Sequence, residues 1–116
     1  MPDPPVHQDL LVVLITFPSQ DEARRIAGAL VEEHLAACVN LVPGVRSLFI
    51  WEGARQDETE VLAVVKTSRA RFDRLAARVK SLHSYSTPEI IGLPIVTGSA
   101  PYLDWVADAV SDPINH

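Results

Sequence analysis

What this chain has little of narrows its class before any residue is placed. It carries 1 cysteine, Cys38, among 116 residues, which excludes an internal disulfide and points to a reducing, cytoplasmic setting. No CxxC or HxxxH pair supplies a closed zinc set within the chain. Basic residues are in deficit: Lys and Arg number 10 against 15 Asp and Glu, for a net charge of -5. Nucleic acid is thereby disfavoured as a partner, because phosphate binding needs a basic face, and acidic surfaces also discourage adhesion to anionic membranes. The longest apolar run, Leu10 to Ile15, is far short of the ~20 residues that cross a bilayer. The opening MPDPPVHQD is acidic and proline-rich, where a signal peptide is basic and then apolar. Absent too are the GxSxG elbow, the P-loop, HExxH and GxGxxG, and no nucleophile has an evident base, so an enzyme is not expected.

What is present is an ordinary globular composition, 47% hydrophobic and 22% charged, long enough to bury a core without staples. Residues 1–9 read as a flexible leader, 10–112 as a single domain and 113–116 as a tail. DLLVVLITF is a strand with apolar residues on both faces. Ser19 and Glu22 then form a capping box that opens a helix. In that helix Ala23, Ile26, Ala27, Leu30, Val31 and His34 fall at helical spacing, which marks one core-facing stripe. AACVNLVPGVRSLFIWEG and EVLAVVKTS, with a turn around Gly53, read as a hairpin. A second helix follows, its stripe formed by Phe72, Leu75, Ala76, Val79 and Leu82. IIGLPIV is a short strand, and Ser99 caps a last helix, APYLDWVADAV.

The order β-α-β-β-α-β-α contains two similar β-α-β units joined by a hairpin. That is an α+β, ferredoxin-like split β-α-β sandwich: an antiparallel sheet covered on one face by two helices, with an added C-terminal helix.

Length adds an expectation about assembly. The segment Ala37 to Glu52, fully extended at ~3.3 Å per residue, would run for ~50 Å, whereas a compact chain of this size is roughly 35 Å across. The hairpin must bend, with Pro43-Gly44 as one bend, or protrude. Beyond Gly44, Phe49 and Trp51 share one face and Leu48 and Ile50 the other, a hazard unless a second copy of the chain covers them. The last helix also carries two stripes, Leu103, Val106 and Val110 against Tyr102, Trp105 and Ala109, as though it served two partners.

Candidate chemistry gathers in KSLHSYSTPEIIGLPI. His83, just past the second helix, either caps that helix's C-terminus or serves as an imidazole ligand for copper or zinc. Pro88 holds Thr87 extended, so that Tyr85 and Glu89 can point into a cleft, and Glu89 can equally pair with an arginine or with Lys66. Cys38 is either inert packing or a thiolate ligand for a soft ion. His34 is expected in the core, and His7 and His116 in the tails are discounted.

Taken in order, HLAACVNLVPGVRSLFIWEG, the VKT that ends the following strand, HSYSTPEIIGLPIVTG and YLDWV resemble the CutA divalent-cation tolerance proteins from about Leu10 to Val110. The resemblance implies a ferredoxin-like fold, a homotrimer built by strand pairing between subunits, and a role in divalent metal tolerance, copper especially. The leading expectation is a trimeric metal-binding or metal-response protein with His83 as ligand, Cys38 and Glu89 as helpers, and Lys66, Tyr85 and Trp51 lining the cleft. The family's loop typically reads His-Pro-Tyr and then Pro-Glu. His83, Tyr85, Pro88 and Glu89 match it, and Ser84 stands where proline is usual. Copper binding in some members is attributed to a cysteine near the end of the first strand and to two adjacent histidines. Here Ile15 and the pair Leu82-His83 occupy those positions, so of these ligands His83 alone carries over. The competing expectation is a non-catalytic, PII-like signalling or scaffold trimer binding a small anion or a partner protein, in which Lys66 outweighs His83.

Overall fold

The computed structural model describes residues 9–111. The leader other than Asp9, the tail, and His7 and His116 lie outside them. The chain forms β1 (Leu10–Phe17), α1 (Gln20–Glu32), β2 (Cys38–Trp51), β3 (Ala54–Ser68), α2 (Arg69–Leu82), β4 (Ile90–Pro94) and α3 (Ala100–Ala109). The sheet runs β2-β3-β1-β4, and every neighbouring pair is antiparallel. This is the split β-α-β order anticipated from the two repeated units.

Alternation along β1 decides which face is buried. Leu11, Val13, Ile15 and Phe17 join Val61, Ala63 and Val65 of β3, Ile26 and Leu30 of α1 and Leu75 and Val79 of α2 in the main core. The opposite parity, Val12 and Leu14 on β1, Leu62 and Val64 on β3, is half-buried, and Val42, Ile91 and Leu93 beside them are exposed. One face of the sheet is therefore covered by helices, while the other is apolar and largely bare. α3 packs Leu103, Val106 and Val110 against Leu10 and Ala37 at one end of the sheet, while Tyr102 and Trp105 remain exposed, 42% and 50%.

The long hairpin does protrude. The molecule measures 53 × 29 × 22 Å, with a radius of gyration of 15.5 Å, above the ~13 Å of a compact chain this size. Pro43 and Gly44 face Val61 as a two-against-one bulge between the pairs Val42↔Leu62 and Val45↔Glu60, with Gly44 at φ 75. The tip is a two-residue turn whose members, Glu52 and Gly53, both have positive φ, 50 and 80. Such a turn matches the twist of the two strands. Arg46 clamps Asp57 across the ladder through two hydrogen bonds, 2.6 and 3.2 Å.

Three local expectations need correction. α1 stops at Glu32, and His34, instead of entering the core, is exposed in the left-handed region at φ 58. There it closes a Schellman turn, with His34 N–H donating to Val31 O and Leu35 N–H to Leu30 O. That turn leaves Val31 42% exposed as well. Ser99 precedes α3 but makes no side-chain cap bond. Ser19 does cap α1 by accepting from Glu22 N–H at 3.2 Å, yet the reciprocal half of the box is missing because the Glu22 carboxylate is used elsewhere.

Candidate functional site

The loop between α2 and β4 begins where α2 ends. His83 is the C-cap residue: its N–H donates to Val79 O at 2.8 Å while its own backbone turns extended, φ -73 and ψ 142. That turn folds the imidazole back over the end of β1. The ring stacks on Phe17, centroids 5.0 Å apart and 16° from parallel, and its side chain is 0% exposed. Nε2 lies 2.8 Å from the Thr16 carbonyl, and Nδ1 accepts from Tyr85 N–H at 3.0 Å. A carbonyl can only accept and an amide can only donate, so the proton sits on Nε2 and the ring is the neutral Nε2–H tautomer. Both ring nitrogens are thus engaged by backbone.

Glu22, from the first turn of α1, completes the corner. Its Oε2 accepts from Ser84 N–H at 3.1 Å and from Ser84 Oγ at 3.0 Å, and stands 3.4 Å from His83 Nδ1. Tyr85 continues outward and donates its hydroxyl to Glu60 Oε2 at 2.8 Å. Glu60 is a carboxylate only 5% exposed. Burial, the Glu60 bond and the negative charges of Glu60, Glu58 and Glu22 together push the Tyr85 phenol up to about 12. Beyond it, Tyr85, Ser86 and Thr87 wall a recess of about 220 Å³ with Phe49 and Trp51 of the hairpin.

The sequence-designated residues therefore divide into two groups. Trp51 and Tyr85 share the recess, with His83 behind Tyr85, ring centroids 4.9 Å apart. Cys38 and Lys66 are cross-strand partners near the opposite end of β1: Lys66 pairs with Val12, whereas His83 bonds at Thr16. Four residues of strand, ~13 Å, separate those levels. Lys66 donates to Asn40. Cys38 is half-exposed, and burial, followed by the Cys38 thiol, raises the Tyr102 phenol of α3. Glu89 is exposed before β4 and, among the described residues, pairs with neither Lys66 nor an arginine. Among the described residues no three His, Cys, Asp or Glu side chains converge as a ready metal cage, and no helix is long and apolar enough to cross a membrane.

Two residues of the site were not marked from sequence. Glu22 was absorbed into the capping box, which accounted for an acid at that position. Glu60 carried a usable signal, since it is the last carboxylate before the buried half of β3.

The fold has close counterparts. Residues 11–109 match the family described as CutA1 divalent ion tolerance protein. A divalent-cation tolerance protein CutA of Thermus thermophilus is 54% identical over 97 residues, covering 84% of this chain and 94% of that protein. The rice protein CutA 1, chloroplastic, is 41% identical over 102 residues, which are 88% of this chain and 58% of the rice protein. Among solved structures, that of Cut A1 from Thermus thermophilus superposes with a TM-score of 0.86 at 51% identity, covering 88% of this chain and 99% of that one. The periplasmic divalent cation tolerance protein CutA of Archaeoglobus fulgidus gives 0.85 at 43% identity, with coverage of 88% and 99%.

Proposed function

This chain belongs to the CutA1 family of divalent ion tolerance proteins, and from that premise we propose that it is a non-catalytic cytoplasmic homotrimer that binds divalent metal ions, copper foremost, with metal contacts completed between subunits. The observation that carries the reading is the bare apolar face of the sheet, Val12, Leu14, Leu62 and Val64 with Ile91 and Leu93, continued by Phe49 and Trp51 on the projecting hairpin, whose opposite side exposes Leu48 and Ile50. Apolar surface on that scale is a partner surface, and further copies of the same chain match it by symmetry.

The donors fit copper only in part. Cys38 offers a half-exposed thiol, the soft ligand that copper prefers. His83 can turn Nδ1 to an ion only by surrendering the Tyr85 amide, and Glu22, 3.4 Å away, is then the nearest second ligand. Neither set is complete within one chain, which is why the coordination shell is assigned to the assembly. The alternative, a regulatory trimer that grips a small anion through Lys66, is less favoured. The ring-lined recess has Glu22, Glu58 and Glu60 as its charged neighbours, and Lys66 is bound to Asn40 away from it.

The test is anaerobic calorimetric titration of copper(II) into metal-stripped protein, alongside sedimentation velocity. The reading expects a species of three 12.7 kDa chains and saturable binding tighter than roughly micromolar, about -8 kcal/mol, weakened in Cys38→Ser. A monomer, or a trimer with no saturable copper heat, would overturn the corresponding half.

A further inference from the structure

Arg71 occupies the first turn of α2 and is 5% exposed, although it carries a permanent charge. Its Nε donates to the Val110 carbonyl at 2.7 Å, which ties α2 to the end of α3. The rest of the guanidinium is not accounted for: Nη2 is buried and has no hydrogen-bond partner. Among the described residues no carboxylate lies within ion-pair reach of Arg71. Buried charged donors are nearly always paired, so an orphan of this kind asks for an acceptor from outside the described chain.

The Arg71 side chain borders an open cavity. Arg71 and Val110 both line a cavity of about 390 Å³, whose other walls include Ser68, Ala70, Arg74 and Asp9. Ser68 is the N-cap of α2, so the cavity opens at the positive end of a 14-residue helix with no acidic residue in its first turn. Of the first amides, Arg69 N–H donates to Asp9 O and Arg71 N–H to Ser68 Oγ, and Ala70 between them lines the cavity. Arg74, exposed, brings a second guanidinium to the rim. The one carboxylate of the wall, Asp9, is 74% exposed and 4.0 Å from Arg69.

We propose that this cavity, distinct from the His83 loop, binds a small phosphate-type oxyanion, held by the Arg71 guanidinium, the α2 N-terminus and Arg74. A tetrahedral oxyanion can meet donors arriving from the buried guanidinium, the helix end and the rim together. On a chain of net charge -5, diffuse attraction of anions works against binding, so affinity here has to be local.

The experiment titrates inorganic phosphate, and separately glycerol phosphate, into the full-length metal-free protein at fixed ionic strength, by calorimetry and by thermal unfolding. Saturable phosphate binding that raises the melting temperature above a chloride control is expected. Arg71→Met, which keeps the stem, should abolish it, and Arg74→Glu, at an exposed position that leaves folding intact, should weaken it roughly tenfold or more. If glycerol phosphate also binds, the site takes the terminal group of a metabolite; if it does not, the site takes the free ion. Absence of saturable binding in the wild type, or binding unchanged in Arg74→Glu, overturns the proposal. So does binding that appears only in Asp112→Asn, which would identify the chain's own carboxylate, outside the described residues, as the occupant.

Discussion

Ser84 donates twice to one oxygen of Glu22, from its backbone N–H at 3.1 Å and from its hydroxyl at 3.0 Å, across 62 positions of sequence. Proline at this position could make neither bond, because it has no N–H and no hydroxyl. Ser84 thus fastens the loop to the start of α1 by a route that proline does not offer.

The first prediction tests that fastening. His83 already has φ -73 and ψ 142, a conformation that a following proline accepts, so Ser84→Pro should fold and lose only the two bonds. Urea unfolding at fixed protein concentration should show a loss of about 1–2 kcal/mol. Glu22→Gln should then cost about 1 kcal/mol less in the Ser84→Pro background than in the wild type. Strict additivity would mean that the two residues are not coupled.

Tyr85 supplies a pH prediction. A phenol in the unfolded chain ionises near ~10, and in the folded protein Tyr85 does so at about 12. Between those values the folded state holds a proton that the unfolded state has released. The stabilisation from the Tyr85–Glu60 bond is therefore complete below pH ~10 and is lost as pH rises through 12. The chain has 2 tyrosines, and Tyr102 is raised as well, chiefly by burial. An absorbance titration should show both phenolates forming late, with Tyr85→Phe removing one step and flattening the alkaline loss of stability. A phenol at Tyr85 that ionises near ~10 would contradict the buried bond to Glu60.

For His83 the structure ties loss of the ring to loss of fold. His83→Ala removes a stacked, fully enclosed ring and strands the Thr16 carbonyl and the Tyr85 amide. Denaturant unfolding should register a cost of about 2–4 kcal/mol. A cost below ~1 kcal/mol would show that the ring is not held as described.

The bare sheet face yields an assembly prediction. Ile91 and Leu93 on β4 are 49% and 48% exposed in the isolated chain. Ile91→Lys with Leu93→Lys should leave secondary structure by circular dichroism intact and shift sedimentation to a single chain, since burying two ammonium groups against apolar strands is prohibitive. An unchanged sedimentation coefficient would place the interface elsewhere.

Much of the architecture was legible in the sequence because it rests on short-range pattern. Period-2 and period-3.6 spacing located all seven elements, and Pro43-Gly44 and Gly53 marked the bulge and the tip turn, both set by local dihedral preference. His34 failed for a reason of the same kind: its spacing fits the helical stripe, but the helix ends two residues earlier in a Schellman closure, and only the backbone shows that φ has changed sign. Val31 fell with it.

Spacing along the chain was enough for the element order, most of the core-facing stripes, an overlong hairpin that had to bend or protrude and, through ordered motifs, the family. Folding settled the rest: that the hairpin protrudes, that His83 has both nitrogens occupied, that Glu22 serves the loop and not its own helix, that Cys38 and Lys66 lie some strand residues from the recess of Trp51 and Tyr85, and that Arg71 is buried with a donor to spare. Most of those facts depend on groups that meet across long spans, 39 positions for Arg71 and Val110, 62 for Glu22 and Ser84 and 67 for His83 and Thr16, and spacing along a chain carries no record of contacts made by folding it back on itself.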